Sequence, residues 1–76
     1  MRELVEFLVR SLVEHPDEVE VEEFDEDGDL VLEVTVAADD LGRVIGRGGR
    51  IANAIRTVAR AAGSRDDRRV IVDILD

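Results

Sequence analysis

A chain of 76 residues builds one small core, burying about 60% of its unfolded surface, and leaves no room for a deep catalytic cleft. The absence of cysteine excludes a disulfide framework and a thiolate metal site. Nineteen acids against ten arginines give a formal net charge of −9, so the average surface repels nucleic acid. Every basic residue apart from the single histidine is arginine, as GC-rich coding would produce, while the acid excess also suits a salt-adapted cytoplasm. No apolar run approaches a membrane span and no signal-peptide pattern opens the chain, so the expected location is cytoplasmic.

From Arg2 to His15, Leu4, Val5, Leu8 and Leu12 recur at helical spacing, and Pro16 ends the pattern. Phe7, Val9 and Val13 widen the apolar arc beyond one core-facing stripe, which predicts that part of this helix meets a second chain. His15 sits near the helix C-terminus, where a cation is favoured, and no visible partner makes it a catalytic base. Glu18–Glu22 and Leu30–Val36 alternate strictly and predict two strands of a hairpin. Pairing Val21 with Leu32 and Val19 with Val34 collects the apolar residues on one face and leaves Glu20 and Glu33 on the other. The acidic joint Asp25–Asp29 is not a calcium loop: starting an EF-hand at Glu23 puts Gly28 at the sixth position but Val34 where the twelfth must be glutamate.

Asp39 is the expected N-cap of a short helix running through Ile45, which Gly42 weakens by roughly 1 kcal/mol relative to alanine. A second, clearer helix follows, with Ile51, Ile55, Val58 and Ala62 on the core side, Asn53, Arg56 and Arg60 opposite, and Gly63 placed to stop it. The last strand is Val70–Leu75.

Between the two helices lies Val44-Ile45-Gly46-Arg47-Gly48-Gly49-Arg50-Ile51. Three glycines in four positions permit positive φ and close backbone approach. A helix opening at about Gly49 would present amides and a positive dipole end, and flanking Arg47 and Arg50 complete a phosphate site. Charge placement separates this stretch from an ordinary turn. Residues 1–40 hold fifteen acids and two arginines, whereas residues 41–65 hold six arginines and no acid. Arg56 and Arg60 are either a solvated face or an extension of the same basic surface.

The turn resembles the signature of the KH domain: an apolar pair (Val44-Ile45), then G-x-x-G (Gly46-Arg47-Gly48-Gly49), then an apolar residue (Ile51) opening a helix. The resemblance covers the whole chain as one domain, residues 1–76, and is nearest to small bacterial proteins of the KhpA type. It implies an α+β, type II KH fold of order α-β-β-α-α-β, in which a three-stranded mixed sheet carries three helices on one face and the last strand pairs in parallel. It also implies close packing at Gly42.

By the same resemblance, Gly46, Arg47, Gly48 and Gly49 clamp the backbone of single-stranded RNA, Ile45 lines the base groove, and Arg43 and Arg50 charge its rim. With no Trp or Tyr, base stacking is minor and sequence preference weak. A post-transcriptional regulator or RNA chaperone is the implied role, with no metal and no cofactor. The alternative is an interaction module acting through the first helix, as a homodimer or with a Jag-type KH-containing protein. An enzyme is not expected. The chain has no lysine for a Walker A loop, Ile51 stands where a dinucleotide fingerprint needs its third glycine, and no carboxylate lies between Asp40 and Asp66.

Overall fold

The computed structural model describes all 76 residues. Six main elements follow in order: α1 (Arg2–Arg10), β1 (Glu20–Glu26), β2 (Asp29–Thr35), α2 (Leu41–Ile45), α3 (Arg50–Ser64) and β3 (Val70–Ile74). The sheet order is β1-β2-β3, with β1 antiparallel and β3 parallel to β2, as expected for a type II KH fold. The core forms where Val21, Leu30, Leu32, Val34, Val70 and Val72 of one sheet face meet Val5 and Val9 of α1, Val44 of α2, and Ile55 and Ala59 of α3. All three helices therefore cover the same face, and the other face is open.

The first helix is shorter than its periodicity predicts. It ends at Arg10, where the Ser11 hydroxyl donates back to Phe7 O at 2.7 Å and Leu12 N–H tightens onto Val9 O. Glu14 N–H and His15 N–H then donate to the Asp40 carboxylate at 3.0 and 2.9 Å, which ties this segment to the start of α2 and off the helical path. The buried stripe is also rotated. Val5 and Val9 are fully buried, with Met1 and Val13 packed beside them, whereas Leu4 and Leu8 are half-buried and Leu12 is exposed. Outside, Glu6 receives Arg2 at 3.2 Å and Arg10 at 3.1 Å.

The hairpin turns on Asp27 and Gly28, with φ of 52° and 89°, the two positive values that a two-residue turn matched to the strand twist requires. Val21 consequently lies opposite Val34, and Glu23 opposite Leu32. The expected pairing was two residues out of register. Because side chains alternate with period two, that slip leaves every residue on its anticipated face.

Three further expectations are corrected. Asp39 is exposed and caps nothing; its neighbour Asp40 stands at the N-cap and is wholly buried. A Cβ at Gly42 would meet nothing within 4 Å, so no close packing occurs there. Gly63 does not stop α3. It is buried inside the helix, where a Cβ would collide with Val70 Cγ2 and lie 3.1 Å from Arg68 O. The glycine lets β3 return close to α3, and the buried line of that helix becomes Ala52, Ile55, Ala59 and Gly63, leaving Val58 exposed. No helix is long and apolar enough to cross a membrane.

Candidate nucleic-acid interface

The loop between α2 and α3 is anchored from below by Val44, which is fully buried. Gly46 adopts φ 76°, ψ 170°, a region essentially reserved for glycine. A Cβ there would collide with Ile51 Cγ1 and approach Ile51 N at 2.9 Å, so this position is constrained by both conformation and space. Gly48 (φ 65°) and Gly49 (φ 80°) are left-handed, but a Cβ at Gly48 would meet open solvent. The turn closes on itself through Gly49 N–H to Gly46 O at 3.1 Å and Arg50 N–H to Arg47 O, so two of the amides expected to be free are used internally. The α3 N-terminus still points its dipole at the loop.

Arg47, Gly48 and Arg50 are exposed at the tip, and Ile45 lies beside them at 36% exposure. Arg43 is placed differently from the other predicted site residues. Its guanidinium reaches Glu14 Oε1 at 2.6 Å, Asp40 Oδ1 at 3.5 Å and the Asp39 carbonyl at 3.3 Å. Burial raises the Asp40 pKa, but the amides of Glu14 and His15, with the charges of His15 and Arg43, outweigh it and hold this carboxyl below its ordinary value. Arg43 thus fixes the base of the loop.

Beyond Gly49 the basic surface continues. Asn53, Arg56 and Arg60 follow at three- and four-residue steps along one face of α3. Arg56 donates through Nε to Val72 O at 3.1 Å and through Nη1 to Asn53 Oδ1 at 3.3 Å, binding the helix to the outer edge of β3. Between them opens a groove of about 490 Å³ lined by Arg56, Arg60, Arg68, Arg69 and the β3 residues Val70–Val72. Arg68 lies 3.1 Å from the Asp25 carboxylate, in a contact too misaligned to be a hydrogen bond, while its Nε donates to Gly28 O. Carboxylate partners exist for Arg2, Arg10, Arg43 and Arg68; Arg47, Arg50, Arg56, Arg60, Arg65 and Arg69 have none.

This chain matches the KH domain of the KhpA/KhpB family over residues 2–74. It belongs to that family. It is 48% identical over 75 residues to the RNA-binding protein KhpA of Clostridium acetobutylicum, covering 99% of this chain and 100% of the relative. Identity to the KhpA of Halalkalibacterium halodurans is 47% over 76 residues, with both chains fully covered. Among solved structures, Era from Aquifex aeolicus superposes with a TM-score of 0.66 over 96% of this chain at 24% identity, which shows a shared fold. The match spans 28% of the Era chain.

Within this KhpA/KhpB-family fold, the predicted residues Ile45 to Arg50 come together on one loop. Arg68 and Arg69 were not anticipated beside it. Their segment reads as acidic in sequence, because Asp66, Asp67 and Asp73 surround them, and only the parallel return of β3 carries them to Arg56 and Arg60.

Proposed function

We propose that this protein binds single-stranded RNA, with the Gly46–Gly49 turn holding the phosphate backbone and the Arg56–Arg69 groove receiving the strand beyond it. The carrying observation is that, on a chain of charge −9, six arginines without carboxylate partners lie on the loop, α3 and the α3–β3 connection. Arg47 and Arg50 supply charge to the phosphates, Ile45 offers an apolar edge to a base, and Arg43 holds α2 in position. Such an interface reads backbone more than sequence, which suits a cytoplasmic RNA chaperone or post-transcriptional regulator. The RNA-binding names of the KhpA relatives support the same reading. No catalytic role is proposed.

A second reading rests on a separate observation. Phe7, 68% exposed, converges with Leu12 and Val58 around an apolar depression of about 300 Å³ between α1 and α3. We propose this face for self-pairing or for a Jag-type KH-containing partner. Val9 and Val13, which the sequence also nominated, are instead turned toward the core.

Titration of a fluorescent single-stranded RNA at several salt concentrations tests the first reading and separates the two. Long-range repulsion from the acidic surface, screened beyond about 10 Å at 0.1 M salt, opposes the local phosphate contacts, so the expected salt dependence is shallow or non-monotonic. Absence of binding at every salt concentration, with self-association intact, would leave only the second reading.

A further inference from the structure

The sheet face that carries no helix is not uniformly polar. Across its middle, Phe24, Val31 and Ile71 align as one row spanning β1, β2 and β3. Val31 is 8% exposed, and Phe24 remains 41% exposed. On one side of this row stand Glu22, Glu33 and Asp73, directly opposite one another across all three strands; on the other stand Glu26 and Asp29. None of these five carboxylates has a cationic partner. Like charges placed directly across strands destabilise a sheet, so this face maintains an unfavourable row that a bound cation would relieve.

The charge decides which occupant fits. Nucleic acid is repelled, and a second copy would set acid against acid. Along each strand, successive same-face residues lie about 6.7 Å apart, which is also the spacing between same-side residues of any extended peptide. Two adjacent strand lines repeat one order, acid–apolar–acid: Glu22-Phe24-Glu26 on β1 and Asp29-Val31-Glu33 on β2. We propose that this open face docks an extended basic polypeptide segment of pattern cation–x–apolar–x–cation, its apolar side chain seated on Phe24 and Val31 and its cations on the flanking carboxylate rows. The surface does not depend on the RNA-binding reading; it meets the arginine groove at its β3 edge, where Ile71 lines that groove beside Arg69, and it leaves the loop free.

The test is a titration of the isotope-labelled protein with a synthetic peptide carrying Arg-Ser-Leu-Ser-Arg, followed by backbone amide shifts. The control peptide has serine in place of leucine. Expected shifts concentrate on Glu22, Phe24, Val31 and Glu33, and Phe24→Ser weakens binding about fivefold or more while RNA affinity is unchanged. If Phe24→Ser does not fold, the pair Glu33→Gln and Asp73→Asn decides: weaker peptide binding supports the proposal, unchanged binding overturns it. Equal binding of the serine control, shifts confined to another face, or shifts of the same amides on self-dilution or on adding RNA would each overturn it.

Discussion

The two exposed sides of this molecule carry opposite charge for opposite structural reasons. On the loop and α3, the arginines stand on a helix and a glycine turn, with acids excluded from residues 41–65 by sequence. On the open sheet, the carboxylates are brought together only by strand pairing, since Glu22, Glu33 and Asp73 are far apart in the chain. A net charge of −9 averages these surfaces and describes neither. The contiguous segment 41–65 builds most of the basic side, to which the return of β3 adds Arg68 and Arg69, and the sheet topology alone builds the acidic one.

The largest stability effect that sharpens this contrast is expected at Gly46. Gly46→Ala combines left-handed strain with a collision against Ile51 and should cost about 2–4 kcal/mol, whereas Gly48→Ala carries only the conformational penalty of about 1 kcal/mol. Urea denaturation of both variants checks the difference, and equal losses would mean the loop is not held by its contact with α3. Asp40→Asn should follow, because the one buried acid ties Glu14 and His15 to the base of the loop. A carboxyl held below its ordinary value stabilises the fold fully above that value, 3.8, and loses the contribution as pH falls through its lowered folded value. The variant's deficit should therefore be largest near neutrality and shrink in acid, as denaturation at both conditions would report.

A pair of charge changes then breaks the symmetry between the faces. Arg60→Ala with Arg69→Ala should lower RNA affinity by about tenfold, the effect of losing roughly 1.4 kcal/mol of phosphate contact. Glu33→Gln should leave RNA affinity within about twofold and raise stability by about 0.2–1 kcal/mol by relieving the carboxylate row. Opposite effects of equal size per charge on RNA binding would show that long-range charge, not the groove, governs association.

Much of this arrangement is readable from residues 1–76 in order, and the failures are instructive. Alternation in Leu30–Val36 and the helical period of Ile51–Ala62 were sufficient for the element order, because each pattern suits one kind of backbone. Register was not, since the two-residue turn at Asp27-Gly28 sets it and a slip of two keeps the same hydrophobic face. Asp39 and Asp40 are chemically identical neighbours, and only the distant Glu14–His15 segment selects which one is buried. Gly63 has two uses available to a glycine near a helix end, and β3 approaching it decides between them. The turn Gly46 to Arg50 was legible because it is built from contiguous residues; Arg68 and Arg69 join the groove through a parallel strand pairing, which no local pattern encodes.

The most direct test of the RNA-binding account is the affinity of the double variant Arg47→Asp with Gly48→Asp for single-stranded RNA, measured beside the parent protein. Both positions are exposed, and aspartate tolerates the left-handed backbone at Gly48 better than most residues, so the fold should persist. One positive charge is lost and two negative charges arrive where a phosphate must sit, at a cost of about 2–3 kcal/mol, or about a hundredfold in affinity. Self-association through α1 should be unaffected. A folded double variant that binds RNA as tightly as the parent would contradict the account and reduce the loop to a turn.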